Sequence, residues 1–431
     1  MSARVHGHRA VVLVDSRVNP AADHNHAIRL GCQEGHVDVV KLLLADGRVD
    51  PNDNYAIAID ISSENGHTEV VKLLLFEGRA DPTAYNNWAF RMSCRNRHTE
   101  VVKLLLSDGR ADPTVFNNWA LRLSSKMGHA EVVKLLLSDA RVDPTADNNY
   151  TIRVSSKMGR AEVVKLLLAD GRADPTAWNN YAIQKSSKKG HADVVKLLLA
   201  DARVDPTAYD NYVICMSSEY GHTEVVKLLL EDGRVDPTAG DNAAIKVSSQ
   251  NGHTDVVRML LADGRVDPAT EGNIAVQMSS QYGHTDVVRL LLADGRVDPS
   301  FNYAIRWSCE NGHTDVVQLL LEDGRADPAV DDNFAIHLSS QNGHTDVVRL
   351  LLTDGRADPT AWNNFAICMS SQNGHTDVVR LLLDDGRVDP TAIDNDAICM
   401  NSQRILVAST RRPSNFCLTT GADPTVDMQR L

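Results

Sequence analysis

Histidine recurs along the chain at a nearly constant interval, and histidine is the side chain that most often binds metals in proteins. Neighbouring copies are 31 residues apart, except for one step of 29 residues between His284 and His313. The series is His36, His67, His98, His129, His191, His222, His253, His284, His313, His344 and His375, with Arg160 in the position between His129 and His191. Metal ligands must lie about 2 Å from one ion, whereas side chains that recur once per structural repeat lie roughly 10 Å apart. We therefore expect no metal site, and predict that each His joins its turn to the next repeat.

Aspartates are frequent between the histidines, and carboxylates are the preferred ligands of calcium. One such segment contains Asp139, Asp143 and Asp147. It lacks the alternating Asp, the mid-loop Gly and the closing Glu of a calcium loop. Because Asp before Pro and Asp near a helix end are ordinary in turns, turn formation is the preferred interpretation and calcium binding is the alternative.

A pair of serines occurs in nearly every copy, for example Ser370 and Ser371. A serine nucleophile needs an adjacent general base, and no base is placed in the sequence to activate these pairs. A Gly-rich phosphate loop is also absent from the sequence. We therefore expect no catalytic residues, no cofactor and no enzyme, and attribute the small serines to a close approach of two helices.

The elements that carry these residues follow from one copy of the repeat, residues 343–373. Asn363 and Asn364 precede an apolar run and predict the capped start of a first helix. Gly374 is predicted to end that helix in the left-handed region, and Thr376 to cap a second helix. The apolar residues of the second helix cover most of its circumference, so each helix pair needs a neighbour on both sides.

These residues resemble the ankyrin repeat. The family's second-helix signature, Gly-His, two residues, Val-Val, one residue, Leu-Leu-Leu, two residues, Gly, is reproduced at 343–355 and in most other copies. The unit is 31 residues long, shorter than the family's unit of about 33, and the family's Thr-Pro-Leu-His opening is replaced by patterns such as Phe365-Ala366-Ile367-Cys368. The resemblance covers roughly residues 20–400 and implies an all-α solenoid of stacked helix-turn-helix units.

About 13 repeats are expected, with degenerate caps at both ends because a terminal repeat has one face in water. We predict a degenerate N-terminal capping repeat at 1–34, the ankyrin array at 35–403, and a diverged C-terminal cap or tail at 404–431. Residues 404–420 break the pattern before it returns at 421–425. A compensated frameshift is the alternative explanation for that stretch.

The composition restricts the partners and the compartment. The formal charge of −13 disfavours wholesale binding to nucleic acid or to an anionic membrane. No apolar run approaches the roughly 20 residues of a membrane span, and residues 1–20 lack a signal-peptide pattern. The seven cysteines are scattered, and Cys368 and Cys399 lie one repeat apart, too far for a disulfide. We therefore expect a reduced, monomeric protein in the cytoplasm, with the nucleus as the alternative.

The two residues before each Gly-His vary between copies in an informative way. In ankyrin repeats these residues and the loop tips line the concave, ligand-facing surface. Three successive copies have Lys126-Met127, Lys157-Met158 and Lys188-Lys189, whereas most other copies have acidic or neutral residues there. Further cations in the first helices, Arg91, Arg95, Arg97, Arg122, Arg153 and Lys185, extend these residues into a basic stripe at about 91–190. The alternative is a solvated face without a partner.

Aromatic residues at the loop tips are the second variable feature. They are Tyr85, Phe116, Trp178, Tyr209 and Trp362. Trp and Tyr often anchor interfaces, although these rings could equally fold onto the next loop. The predicted partner-binding residues are Arg122, Lys126, Met127, Arg153, Lys157, Met158, Trp178, Lys185, Lys188 and Lys189.

The predicted function is a non-catalytic protein–protein interaction scaffold that binds an acidic protein segment along the concave groove. One alternative is an adaptor that recruits a substrate for another enzyme, such as a ubiquitin ligase. An adaptor needs a second docking module, which only residues 404–431 could supply. The other alternative is an enzyme with an unrecognised site, which would require a deep pocket with convergent polar groups.

Overall fold

Residues 19–77 and 79–388 of the computed structural model are described here, without the side chains of residues 54–56 and 301. These residues form twelve successive pairs of α-helices, and no strand occurs among them. The first helices of the pairs are α1 (Ala22–Gln33), α3 (Asp53–Glu64), α5 (Ala84–Arg95), α7 (Val115–Met127), α9 (Ala146–Lys157), α11 (Ala177–Lys188), α13 (Ala208–Glu219), α15 (Ala239–Gln250), α17 (Thr270–Gln281), α19 (Tyr303–Glu310), α21 (Val330–Gln341) and α23 (Ala361–Gln372). The second helices are α2 (Val37–Leu44), α4 (Thr68–Phe76), α6 (Thr99–Asp108), α8 (Ala130–Leu137), α10 (Ala161–Asp170), α12 (Ala192–Leu199), α14 (Thr223–Asp232), α16 (Thr254–Asp263), α18 (Thr285–Asp294), α20 (Thr314–Asp323), α22 (Thr345–Asp354) and α24 (Thr376–Asp385). A short 3-10 helix, Pro299–Phe301, precedes α19 in the repeat that is two residues shorter than the others.

The chain divides into two compact units, which we describe separately. One holds the residues up to Ser248 together with Arg258–Val266, and the other holds Ser249–Val257 together with the residues from Asp267 onward. In the first unit, α5, α7, α9 and α11 pack side by side, and so do α6, α8, α10 and α12. In the second unit, α17, α19, α21 and α23 form one row and α18, α20, α22 and α24 form the other. This stacking of helix pairs confirms the predicted all-α solenoid architecture within each unit.

The core lies between the stacked pairs. Val132, Val133 and Leu136 of α8 have no exposed area, and neither has Leu121 of α7. Fully burying a side chain of this size contributes about 1.5–3 kcal/mol. A single helix pair could not bury these residues by itself, so the stacking of neighbouring repeats is what makes each pair stable.

The serine pairs lie in the same core, as expected for small residues between close helices. Ser155 and Ser156 have no exposed area. The hydroxyl of Ser155 donates to the carbonyl oxygen of Thr151 in its own helix at 2.7 Å. This hydroxyl is therefore satisfied within the helix and shielded from solvent.

The Gly-His turn joins successive repeats. Gly159 has a φ of +69°, and a Cβ atom there would lie 2.7 Å from Nδ1 of His191 in the next repeat. Nε2 of His191 lies 3.1 Å from the carbonyl oxygen of Lys157. Because a carbonyl oxygen can only accept a hydrogen bond, Nε2 must carry the proton. The His therefore joins its turn to another repeat as predicted, but the predicted direction is wrong, because the carbonyl oxygen belongs to the preceding repeat.

Both helix caps that the sequence predicted are wrong. The residue at the N-cap position of α24 is His375, and its side chain makes no capping hydrogen bond, so Thr376 is the first helical residue instead of the cap. The N-cap residue of α23 is Thr360, again without a side-chain hydrogen bond. Asn363 and Asn364 lie three and four residues further on, with φ values of +54° and +63°. They belong to a left-handed turn.

This left-handed turn recurs in most first helices and has its own reason for using Asn. Three consecutive residues have positive φ, for example Trp178, Asn179 and Asn180 at +56°, +53° and +61°. The short polar side chain of Asn makes this conformation less costly than it is for most residues. The side-chain oxygen of Asn180 accepts a hydrogen bond from the backbone N–H of Asp205 at 2.9 Å. The second Asn of the pair therefore ties one repeat to the next.

Candidate partner-binding surface

The loop after each second helix is held by an arginine that contacts two repeats. Arg141 pairs with Asp139 at 2.7 Å, and its Nη1 donates to the carbonyl oxygen of Ala111 in the preceding repeat at 3.2 Å. Hydrogen bonds from Arg141 lower the pKa of Asp139. The carboxylate of Asp143 accepts from the backbone N–H and the hydroxyl of Thr145 at 2.8 and 2.7 Å. These aspartates are occupied in turn formation, and within the described residues no group of three or more His, Cys, Asp or Glu could hold a metal ion.

A polar side chain of the first helix lies beneath the left-handed turn in several repeats. Arg153 is only 6% exposed. Its Nε and Nη2 donate to the carbonyl oxygens of Asn148 and Asp147, both at 2.9 Å. In the next repeat the equivalent residue, Gln184, donates to the carbonyl oxygen of Asn179 at 2.7 Å. Because the buried guanidinium of Arg153 is occupied by these carbonyl oxygens, Arg153 supports the turn and is not available to touch a partner.

In several repeats the tip of the loop packs on this supporting residue of the preceding repeat. The guanidinium carbon of Arg153 lies 3.7 Å from the ring centre of Trp178, which is a close cation–π contact. Arg91 lies 4.9 Å from the ring centre of Phe116 in the same way. Where the tip is acidic, the contact is an ion pair, with Arg122 and Asp147 3.1 Å apart. The loop-tip aromatics therefore fold onto the neighbouring repeat, while Trp178 keeps 52% of its surface exposed.

The remaining predicted residues lie at the ends of first helices. Lys126, Met127, Lys157, Met158 and Lys189 are exposed. Lys188 and Lys185 are half-buried, as is Arg122, and the ammonium nitrogen of Lys185 lies 5.3 Å from the ring centre of Tyr181. We call Lys126, Met127, Lys157, Met158, Lys188 and Lys189 the Lys–Met patch. Because α7, α9 and α11 pack side by side, these residues form three adjacent rows.

The residue directly before Gly-His has a structural role in several other repeats, which was not expected from the sequence and which Met127 and Met158 cannot fill. In six of the twelve copies the residue directly before the turn is Asn, and Nδ2 of Asn342 donates to the carbonyl oxygen of Glu310 at 2.9 Å. His344 contacts the same oxygen, also at 2.9 Å. Met127 and Met158 replace that Asn and remain 43% and 38% exposed. The recurrence of Asn at this position in half of the copies was the signal in the sequence.

The surroundings of the patch differ in charge from the rest of the protein. Residues 91–190 contain 17 Lys and Arg against 10 Asp and Glu, a formal charge of +7, whereas the whole chain has −13. Within the described part of the chain, Lys126, Lys157 and Lys189 form no ion pair. The patch therefore presents uncompensated positive charge beside two exposed methionines.

Within each unit, the stacked helix pairs are joined by Gly-His turns and by loops in which Asp pairs with the Arg two residues later (the Asp-Arg loops), and this arrangement defines a helical repeat protein. The family described as "Ankyrin repeats (3 copies)" matches residues 61–149, 151–241, 214–303, 244–332 and 301–394, and "Ankyrin repeat" matches residues 23–54. These matches span most of the chain, which belongs to the ankyrin repeat family. Among curated proteins the comparison found no match.

Membership of this family indicates a general class of function. Ankyrin repeats are generally protein–protein interaction modules, and proteins of this family are typically scaffolds without catalytic activity. Among the helices in the described residues, none is long and apolar enough to cross a membrane. The adaptor alternative depends on residues 404–431, which lie outside the described residues, as does most of the predicted cap at 1–34.

Proposed function

We propose that this protein is a non-catalytic scaffold that holds an acidic segment of a partner protein on the Lys–Met patch. The observation that carries the proposal is that Lys126, Lys157 and Lys189 are exposed without ion pairs, beside exposed methionines on an otherwise acidic chain. Arg153 and Arg122 support the adjoining loops instead of touching the partner. Trp178 lies on the loop tip of the same stack and offers its exposed ring face as a flanking contact. A monomeric, cytoplasmic state and the absence of nucleic-acid binding remain predictions.

The chemistry of the patch specifies the partner segment further. Lysines attract carboxylates and accelerate encounter, while methionine is adaptable and accepts apolar side chains of several shapes. Equivalent residues of successive repeats lie roughly 10 Å apart, and an extended chain advances about 3.3 Å per residue. An extended segment that crosses the repeats would therefore place every third residue in an equivalent position. The partner segment should carry acidic and apolar side chains with a period of three.

A charge-reversal experiment tests this proposal. The variant Lys157→Glu, Lys188→Glu, Lys189→Glu reverses the patch, and the matched control Lys103→Glu, Lys134→Glu, Lys165→Glu reverses three exposed lysines of second helices in the same unit. The probe is a synthetic peptide of about 12 residues with Glu and Leu in a period of three, long enough to cross three repeats. The association rate at low salt should fall roughly tenfold or more for the patch variant. The control should change it by less than about twofold, because charge at a distance from the site is screened.

The outcome is decisive in either direction. If the patch variant and the wild type associate with the peptide at the same rate at low salt, the Lys–Met patch is not the binding site. If the control variant slows association as much as the patch variant, binding depends on net charge alone and the proposed site is wrong.

A further inference from the structure

In several repeats a carbonyl group at the end of the first helix accepts two hydrogen bonds from the following repeat. At Glu64 the donors are Nδ2 of Asn96, at 2.8 Å, and Nε2 of His98, at 2.9 Å. The carbonyl oxygen of Glu310 is bonded in the same way. A carbonyl oxygen has two lone pairs, and the last carbonyl groups of a helix have no partner within it. The Asn amide and the His imidazole together therefore satisfy this carbonyl group.

Four successive repeats of the first unit have no Asn at this position. The residues that replace it have no amide group in the side chain and are Met127, Met158, Lys189 and Tyr220. The carbonyl groups that would accept from Asn there, which we call the carbonyl row, are those of Arg95, Lys126, Lys157 and Lys188. The three lysines of the row also contribute their side chains to the Lys–Met patch, so the carbonyl row runs along that patch.

Each oxygen of the carbonyl row accepts from one side chain of the following repeat. The distances between donor and oxygen are 3.1, 3.2, 3.1 and 3.0 Å in chain order. In the same order the donors are His129, Arg160, His191 and His222. Within the part of the chain that the structure describes, none of the four oxygens has a second donor. The first three of these bonds are exposed to solvent, so water or a partner can reach the second lone pair.

The spacing of the carbonyl row matches one backbone conformation. Equivalent groups of successive repeats lie roughly 10 Å apart. Three residues of a β-strand cover about 10 Å, but residues three apart in a strand face opposite sides. The polyproline II helix has about three residues per turn and rises about 3.1 Å per residue, so every third residue faces the same side after about 9 Å. Because this helix has no internal hydrogen bonds, every third N–H can donate in the same direction.

We propose that the partner segment binds in the polyproline II conformation and donates the backbone N–H of every third residue to the carbonyl row. Each N–H then takes the place of the Asn amide that other copies supply from within the protein. The lysine side chains attract the carboxylates of the segment, and the backbone hydrogen bonds fix its register. The inference rests on the proposed function, since the segment is the one that the Lys–Met patch holds.

This mode of binding restricts the sequence of the segment. Proline has no backbone N–H, so it is excluded at every third residue, where the N–H is needed. At the positions between, proline favours the polyproline II conformation and reduces the entropy that is lost on binding. The segment should therefore combine acidic residues, apolar residues and prolines in a period of three. Water is the competing occupant of the carbonyl row, and it would make binding insensitive to the N–H groups of the segment.

Removing the peptide N–H groups of one frame at a time tests the inference. The probe is a peptide of about 12 residues in Leu-Glu-Pro triplets, long enough to span the carbonyl row. Its two matched derivatives carry N-methyl groups on every Leu or on every Glu. One derivative should bind more than about tenfold more weakly than the probe, because each lost hydrogen bond lowers the affinity by roughly two- to tenfold. The other should stay within about twofold of the probe, since the N–H groups that it lacks face solvent. Fluorescence anisotropy measures the dissociation constants, and equal affinities of the two derivatives would overturn the inference.

Returning Asn to the Lys–Met patch tests the same bonds from the side of the protein. In Met127→Asn/Met158→Asn the new amides should occupy the second lone pairs of Arg95 and Lys126, as in the copies that have Asn. The control, Met127→Leu/Met158→Leu, has side chains of nearly the same size as Asn but without a donor. The Asn variant should melt at a higher temperature than the control, because it adds two hydrogen bonds between repeats.

Combining the peptides with these variants isolates the carbonyl row. N-methylation of the sensitive frame should weaken binding to the wild type and to the Leu control by the same factor. For the Asn variant this factor should be roughly tenfold smaller, since two of the N–H groups have lost their acceptors. Comparing the factors within each protein removes the effect of the lost Met contacts. A full N-methyl penalty in the Asn variant would overturn the inference.

The charge-reversal variant separates this inference from the proposed function. If Lys157→Glu/Lys188→Glu/Lys189→Glu weakens the binding of all three peptides but N-methylation has no effect in either frame, side chains alone hold the segment. The inference about the carbonyl row then fails while the proposed function stands. If the unmodified peptide does not bind the wild type, both fail.

Discussion

The environment of each cation decides its role, even among residues that repeat at the same interval. Arg153 is buried beneath a loop and donates to the carbonyl oxygens of Asn148 and Asp147. Lys157, one helical turn further on, is exposed and forms no ion pair in the described part of the chain. The cations of the basic stripe therefore fall into two groups. Some stabilise the loops, and the others are accessible to a partner.

Replacing Arg153 tests this division through stability. Arg153→Met should lower the free energy of unfolding by roughly 2–3 kcal/mol, because the carbonyl oxygens of Asn148 and Asp147 lose a charged donor. Arg153→Gln should recover part of the loss, since Gln184 performs the same task in the next repeat. Lys157→Met should change stability by less than about 0.5 kcal/mol, as expected for an exposed position. Urea unfolding monitored by circular dichroism measures all three, and an Arg153→Met variant as stable as wild type would contradict the supporting role.

Asp60 holds the position equivalent to Arg153 in an earlier repeat, and its environment predicts a dependence on pH. It is 4% exposed and accepts a hydrogen bond from the backbone N–H of Ala89 at 3.1 Å. Burial raises the pKa of this carboxyl to about 7. Because the folded pKa lies above the unfolded value of about 3.9, the folded state binds more protons between these values. Stability should therefore fall as the pH rises from about 4 through 7.

The isosteric variant Asp60→Asn removes this titration while it keeps the acceptor for Ala89. At pH 8 it should be more stable than wild type by roughly 1–2 kcal/mol, and at pH 5 the two should be similar. Thermal melts at pH 5, 6, 7 and 8 check the prediction (the wild-type midpoint should drift downward relative to the variant). Parallel curves for the two proteins would show that Asp60 does not titrate in this range.

At the scale of the element, helices were predictable and the turns between them were not. The apolar spacing of residues such as Val378, Val379 and Leu382 repeats with the helical period, so periodicity alone locates the second helices. The left-handed turn at Asn363 and Asn364 has no comparable signal, because Asn is favoured both at helix caps and at positive φ. The choice between the two depends on the next repeat, as at Asn180, whose side-chain oxygen accepts the backbone N–H of Asp205. That contact joins residues 25 positions apart and is not visible in a local pattern.

Two substitutions of Asn180 separate its two tasks. Asn180→Gly keeps the positive φ accessible but leaves the backbone N–H of Asp205 without its acceptor, which should cost about 1–2 kcal/mol. Asn180→Ala loses the acceptor and also places a less suitable residue at a φ of +61°, which should add about 1 kcal/mol more. The measurement is the unfolding free energy of each variant in urea. Equal losses for Gly and Ala would mean that the left-handed backbone at this residue carries no cost.

At the scale of the whole chain, the sequence identified the basic stripe but not its accessible part. Equivalent residues of a repeat array fall in rows, so Lys126, Lys157 and Lys188 could be placed beside one another from their spacing alone. Which cations point outward could not be predicted, because exposure depends on contacts between repeats. Met127 and Met158 acquire their significance in the same way, since only the structure shows that Asn at this position normally bonds to the preceding repeat.

The Asp-Arg loops recur through the described residues and predict the response of the whole molecule to acid. In each of these loops the arginine lowers the pKa of the aspartate two residues before it, as Arg141 does for Asp139 and Arg356 for Asp354. Because the folded pKa lies below the unfolded value of about 3.9, this stabilisation is complete above about pH 4 and is lost as the pH falls through the folded pKa. A partly buried pair such as Arg141 with Asp139 contributes only about 0.2–1 kcal/mol, but similar pairs are repeated along the array. The contribution of these loops to the urea midpoint should therefore be nearly constant from pH 7 to pH 5, where Asp60 has the opposite effect. The midpoint should fall steeply between pH 4 and pH 2.

Two double variants test whether the loops cause this fall. Arg141→Gln with Arg356→Gln should make the fall shallower. Lys134→Gln with Arg349→Gln removes two exposed cations outside the loops and should leave the slope unchanged. Equal slopes in the two double variants would show that the loops are not the source of the acid sensitivity.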